Sequence, residues 1–334
     1  MSFVHLHTHS EYSLLDGASR ISEMVRLAAE TGMPAIALTD HGVMYGAIEL
    51  LAQAKAAGIN PIIGQEAYVA TRSRNQKEGR ADRDPYHLIL LVKDLTGYRN
   101  LIQLSSLAHL EGYYYKPRID KALLAEHTEG LIALSSCLGG EVANRLLERD
   151  ETGAEQAAME YQRMFGDDYF LEIQNHGMEE QLRVNEGLVR ISRRTGIPLV
   201  ATNDSHYTRR DDAEAHDILL CLQTGTVVSE TNRMRFQNNE FYLKTPAEMA
   251  ERFRDFPEAV ANTVRIAERC HLQLETRPLL HASRCPLEKP PTATYEVWRS
   301  AASKIAIRRS PPRYATASRW SSASSRTWAT PRIS

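Results

Sequence analysis

The chain has 334 residues, 43% of them hydrophobic and 25% charged, which suits one large α/β domain or two smaller ones. No apolar run approaches the ~18 residues that span a bilayer and no basic-then-apolar leader opens the sequence, so neither a membrane protein nor a secreted one is expected. The net charge of −2 conceals an asymmetry: residues 281–334 hold 10 Lys+Arg against 2 Asp+Glu, whereas residues 1–280 hold 30 against 40.

Taken in chain order, strand-like apolar runs fall at 3–7, 34–39, 61–69, 87–92, 130–135, 169–174 and 198–202. Amphipathic helical stretches lie between them, among them 19–31, 46–57 and 178–195, and glycine often separates a helix from the next strand. Alternating β and α units predict a parallel barrel or an open doubly wound sheet. Polar residues gather where strands end, at Thr39–Gly42, Ser135–Cys137, Asn175–His176 and Asn203–His206. Ligands drawn from all round a rim favour the barrel, since an open sheet concentrates its site at one switch point. Further on, Thr245-Pro246-Ala247-Glu248 reads as a capping box with proline at N1, and a second helix is expected from about Pro257 to Cys270. Cys137, Cys221, Cys270 and Cys285 lack paired spacing, as in a reduced cytoplasm.

The histidines carry the chemistry. In His5-Leu6-His7-Thr8-His9, residues two apart on an extended strand share a side, so His7 and His9 can aim at one point. Asp204 and His206 repeat the arrangement almost two hundred residues later. Imidazole and carboxylate are ligands for zinc, manganese or iron. Either pair alone is an ordinary coincidence; together they predict a metal site at one barrel end. Collecting the strand-end residues gives His7, His9, Asp16, His41, Glu66, His87, Cys137, Asp204 and His206, more than the four or so that one tetrahedral zinc takes. The count suits two or three divalent ions sharing a bridging carboxylate. Other readings stay open: Asp16 precedes Gly17 as an ordinary turn residue does, Cys137 could be a small buried hydrophobe, and His87 begins its strand instead of ending it. His5, deeper on the strand, reads as structural. His176 reads as a rim residue near substrate. Lys116 and Arg118 are phosphate-contact candidates or members of a solvated loop, and Tyr113, Tyr114 and Tyr115 either stack on bases or pack in the core.

The segments HLHTHSEYSLLDG (5–17), TDHG (39–42), GQEAYV (64–69), HLILLV (87–92), LSSCLGGE (134–141) and ATNDSHY (201–207) resemble the successive motifs of the polymerase and histidinol phosphatase (PHP) family. More narrowly they resemble the version found in bacterial DNA polymerase III alpha subunits, as do TGYRNL (96–101), GYYYKPRID (112–120) and the stretch 241–270. The resemblance runs from Met1 to about Leu280. It implies a distorted seven-stranded (β/α) barrel, TIM-like, over residues 1–215, with a helical extension at 216–280. By the family pattern His7, His9, Glu66 and Asp204 hold one metal, Asp16, His41 and His206 a second, and Glu66 bridges to a third held by His87 and Cys137. Zinc is the first expectation. Asp204, His206 and Glu66 are then the residues on which hydrolysis depends.

The implied activity is metal-dependent phosphodiester hydrolysis at single-stranded DNA 3′ ends, in a bacterial cytoplasmic replicase whose other subunits include a proofreading subunit and a sliding clamp. Rival readings are a catalytically silent docking module and a small-molecule phosphatase of the histidinol phosphatase type. Polymerisation is not expected, because the family's palm aspartates match nothing in the sequence. Residues 281–334 depart from the pattern: Arg, Ser and Trp are in surplus, and codons for these residues can be chosen that read as family-like segments in a shifted frame. They are expected to be a non-native, poorly folded tail, the alternative being a basic nucleic-acid-binding one.

Overall fold

A computed structural model describes residues 2–274, so the expectation for residues 281–334 lies outside the described residues. Six of the apolar runs become β1 (Ala35–Leu38), β2 (Asn60–Val69), β3 (Tyr86–Val92), β5 (Leu131–Leu134), β6 (Tyr169–Gln174) and β7 (Leu199–Thr202), and the short β4 (Arg118–Ile119) falls outside the expected runs. They form one sheet in the order β1-β2-β3-β5-β6-β7, with the short β4 beside the end of β2. Helices α1 (Ile21–Glu30), α2 (Ala47–Ala57), α3 (Gly79–Arg83), α4 (Leu95–Leu110), α5 (Lys121–Ala125), α6 (Glu141–Leu147), α7 (Glu151–Phe165) and α8 (Glu179–Thr195) fill the connections. In α1 the buried residues Ile21, Met24, Val25 and Ala28 follow the 3.6-residue period that turns one apolar stripe inward. The chain continues through α9 (Ala213–Thr224), α10 (Pro246–Arg252) and α11 (Pro257–Ala267). The predicted capping box at Thr245 is formed, its hydroxyl accepting from the Glu248 amide. No helix among the described residues is long and apolar enough to cross a membrane.

The sheet is curled into a distorted barrel. Its interior holds Ala37, Ile62, Ile89, Leu91, Ile132 and Val200, with Ile266 of α11 packed against them. Residues one position away, such as Ile36, Ile63, Leu90 and Ala133, face the surrounding helices.

Two expectations need correction. The run 3–7 does not form a regular ladder. It closes the barrel by single bonds: the Ala37 amide donates to the His5 carbonyl at 2.9 Å, and the His9 amide to the Ser205 carbonyl at 2.8 Å. Val4 and Leu6 face the interior, and a backbone bend at His7 resets the alternation. His7 and His9 therefore turn inward too, while His5 is left pointing away, its Nε2 2.8 Å from the Lys244 carbonyl oxygen. Nor is the barrel all parallel, because β3 runs antiparallel to both β2 and β5. The link from β2 to β3 carries only the five-residue α3, and an antiparallel neighbour is the one that does not need a full helical crossover. The reversal brings the first residues of β3 to the end of the barrel where its neighbours finish. That is why His87, at the start of a strand, can join ligands found at the ends of others.

Candidate metal centre

The nine candidate ligands meet at one end of the barrel, organised around Glu66 and Asp204. Glu66 projects from β2 and is fully buried. Its Oε2 lies 3.5 Å from His7 Nε2, 3.3 Å from His9 Nε2 and 2.8 Å from His41 Nδ1. Its Oε1 lies 2.7 Å from His87 Nδ1 and 3.8 Å from Cys137 Sγ. Asp204 Oδ1 stands 3.1 Å from both His7 Nε2 and His9 Nε2. On the far side, Asp16 Oδ2 lies 3.4 Å from His41 Nε2 and 3.8 Å from His206 Nε2. Asp204 and Ser136, at the ends of β7 and β5, both take left-handed backbone (φ 45° and 67°), a strained conformation that turns the chain sharply beside the cluster.

The donors fit divalent transition metals. His7 Nε2, His9 Nε2, Glu66 Oε2 and Asp204 Oδ1 are buried and have no hydrogen-bond partner among the described residues, although they face one another at 3.1–3.5 Å. Unsatisfied buried polar atoms cost about 1–3 kcal/mol each, and four of them turned to one point are what a cation would satisfy. The tautomers agree. His7 Nδ1 donates to Glu172 Oε1 at 2.7 Å and His9 Nδ1 to Ser13 Oγ at 3.0 Å, which leaves each Nε2 with its lone pair toward the centre. His206 Nδ1 likewise faces the Asp204 carbonyl oxygen at 2.9 Å. Burial alone would lower the pKa of His7, but Asp204, Glu172 and Glu66 hold it well above the usual imidazole value, so a cation has to displace a proton from Nε2 to take that lone pair. Glu66 is held well below the carboxylate range: His41, His87 and His7 outweigh the opposing effect of burial. The Cys137 thiol is pushed up by burial and by the nearby Glu66 and Asp204, so its ligation as thiolate depends on a metal displacing the proton.

The sequence reasoning missed the residues that hold the candidate ligands. Glu172 of β6 accepts from His7, from Gln174 Nε2 at 2.9 Å and from Thr202 Oγ1 at 2.5 Å. Asp40 accepts from the Ser10 amide at 2.7 Å and from Ser13 Oγ at 2.9 Å, fixing the loop on which His9 and Asp16 are mounted. The available signal was an acidic residue inside the apolar run YFLEIQ, with Glu172 and Gln174 on one strand face.

Two of the three candidate phosphate or substrate contacts are differently employed. Arg118 is fully buried, and its guanidinium donates to the carbonyl oxygens of Gly112, Asp82, Arg74 and Gln76. With Tyr114 packed against it 5.4 Å away, it ties the 72–84 segment to β4 instead of reaching solvent. His176 is buried as well, with Nε2 2.8 Å from the Asn203 carbonyl oxygen, Nδ1 2.7 Å from Gln181 Nε2, and its ring stacked on Phe241. It supports the turn that presents Asp204. Lys116 alone keeps a place at the rim: its Nζ lies 3.4 Å from the Tyr68 hydroxyl, and Tyr68 stacks on His41. Tyr113 and Tyr115 are exposed.

The PHP domain family model matches residues 5–176, just over half of the chain. The chain belongs to the PHP family. Among curated relatives, the DNA polymerase III subunit alpha of Treponema pallidum is 51% identical over 291 residues, covering 86% of this chain and 25% of that protein. The subunit of Borreliella burgdorferi is 50% identical over 269 residues (80% of this chain, 24% of that protein), and that of Thermus aquaticus 47% identical over 281 (82% and 23%). The chain thus spans about a quarter of the length of these relatives. A solved Bacteroides vulgatus protein, described as containing a predicted PHP-like metal-dependent phosphoesterase, matches 61% of this chain and 52% of its own at 16% identity; the TM-score of 0.39 decides nothing.

Proposed function

We propose that this barrel end is a multinuclear phosphodiesterase centre that shortens single-stranded DNA from its 3′ end. The observation that supports it most is the convergence of nine donor residues, six of whose atoms are buried without a hydrogen bond among the described residues. In the assignment carried over from the family pattern, His7, His9, Glu66 and Asp204 hold one ion, Asp16, His41 and His206 a second, and Glu66, His87 and Cys137 a third. Two to three divalent ions, zinc foremost and manganese or iron otherwise, would supply Lewis-acid activation of water and neutralise phosphate charge. The chain's own residues set the geometry. Glu172 and Ser13 fix the protons of His7 and His9 on Nδ1, and Glu66 spans two parts of the cluster. Lys116 offers a cation at the rim for a phosphate outside the scissile linkage. A 3′ end can thread to such a rim, whereas a duplex must first fray. The relatives support a setting in a bacterial replicase, with DNA, a proofreading subunit and a sliding clamp as proposed partners in the cytoplasm. The proposal covers hydrolysis alone and assigns the chain no nucleotide incorporation.

Elemental analysis after mild dialysis should find two to three transition-metal ions per chain, and the loaded protein should shorten a single-stranded oligonucleotide stepwise, blocked by chelator. Histidinol phosphate is assayed in parallel. Monoester turnover with the oligonucleotide left intact would replace this reading by a small-molecule phosphatase, and inactivity on both with metal bound by a silent docking module.

A further inference from the structure

Beside the metal centre, α9 and the segment 235–239 enclose an open groove of about 600 Å³, within the roughly 300–1,000 Å³ usual for small-molecule clefts. Phe236 forms the wall between the two. Its ring centroid lies 4.9 Å from that of His206, edge to face, and 4.7 Å from that of His216, while the half-buried ring also lines the groove. His216 is tied to the site in turn, its Nε2 2.7 Å from the Asp16 carbonyl oxygen. The polar lining is uneven. Asp217 is neutralised by Arg233, the two pairs of atoms meeting at 2.6 Å. Arg235, Gln237 and Asn239 line the groove exposed, with no hydrogen bond or ion pair among the described residues, and the exposed Glu214 faces them from α9.

We infer that this groove is a nucleotide subsite, holding the nucleotide unit next to the scissile phosphate with its base on Phe236. The aromatic platform is sequence-tolerant because every base has a π face. Arg235 supplies a cation for a flanking phosphate. Gln237, Asn239 and Glu214 offer donors and acceptors to base edges, and a duplex terminus has no unstacked base to place there. The choice of ligand rests on the hydrolytic reading above, whereas the groove and its free polar groups do not.

The test uses the full chain loaded with zinc or manganese. Calorimetric titration compares binding of deoxyadenosine monophosphate with that of 2-deoxyribose 5-phosphate, which lacks the base, in the native protein, Phe236→Ala and Arg235→Ala. Metal content and circular dichroism confirm that each variant is loaded and folded. Phe236→Ala should weaken the mononucleotide about tenfold and leave the sugar phosphate unchanged; Arg235→Ala should weaken both. In cleavage, the native protein should prefer a 3′ end bearing a base over an abasic one, and Phe236→Ala should lose that preference. Equal binding of mononucleotide by native protein and Phe236→Ala, or an unaltered preference for the base-bearing end, overturns the subsite. Mononucleotide binding through Phe236 without any cleavage leaves the subsite standing and removes the hydrolytic reading.

Discussion

Replacing Glu172 by glutamine tests whether the buried carboxylate behind His7 positions a metal ligand. Glu172 Oε1 accepts three hydrogen bonds, from His7 Nδ1 at 2.7 Å, Gln174 at 2.9 Å and Thr202 at 2.5 Å. Glutamine keeps an oxygen there, so the geometry survives and the charge facing His7 is lost. Its new amide group takes the place of Oε2, which is buried with no hydrogen-bond partner. The metal-free variant should therefore be destabilised by about 1 kcal/mol, the low end for an unsatisfied buried donor. The larger effect should be on metal. Partners that orient a ligating histidine are worth roughly 10–100-fold in affinity, or about 1.4–2.8 kcal/mol. Competition against a chromophoric chelator gives the affinity, and urea unfolding of the chelated protein gives the stability. A folded Glu172→Gln variant that binds zinc and manganese within about twofold of the native protein would show that His7 does not ligate through Nε2, and the first-metal assignment would fall.

Asp204→Asn should abolish hydrolysis and leave the chelated protein folded, because asparagine keeps the shape of this buried side chain and loses only the charge that faces His7 and His9; native-rate cleavage by the variant would misplace the site. Arg118→Ala should cost about 3 kcal/mol or more in urea unfolding, since four carbonyl oxygens lose their donor. A stable Arg118→Ala variant with weakened oligonucleotide binding would return Arg118 to the phosphate contacts. Acid should weaken the fold through His176, whose pKa burial lowers from 6.5 to about 4 against the opposing effect of the Asn203 carbonyl. A depressed pKa contributes stability that is present above pH 6.5 and lost as pH falls toward 4, about 3 kcal/mol in all. In the chelated protein, His176→Gln should therefore flatten the decline in unfolding free energy over that window, and an unchanged slope would refute the assignment.

The candidate ligands were legible as a set because metal chemistry restricts residue types. His7, His9, Asp204 and His206 have few other reasons to stand in pairs at strand ends. The phase of the first run was less legible. Alternation would place His5 with His7, and the bend that separates them is not written in any turn residue of His5-Leu6-His7-Thr8-His9. The direction of β3 was hidden for a different reason. Apolar periodicity does not distinguish a parallel from an antiparallel neighbour, so only the short connection after β2 could have revealed why His87 leads its strand. Arg118 was misread because a cation in the polar stretch KPRID resembles a phosphate contact, although its fixed fork serves equally well to gather backbone carbonyls.

Glu172 shows where the limit lies. A charge amid apolar residues marks a buried group that must be compensated, and that much can be read from YFLEIQ alone. Glu141 carries the same mark at the start of α6, almost fully buried. There the compensation is Lys121 Nζ at 2.8 Å, Arg145 Nη2 at 3.0 Å and the Tyr161 hydroxyl at 3.1 Å, cations and a hydroxyl in place of a histidine of the cluster. Both carboxylates can thus be recognised as needing a partner, but the partner itself is not visible in the chain order. The difference is decided by the curl of the sheet, which carries Glu172 of β6 across to the side chain of His7 although β7 lies between their strands. A residue's place in the metal centre is then a property of strand order and direction, and the outer residues of the site become readable only once the path of the sheet is known.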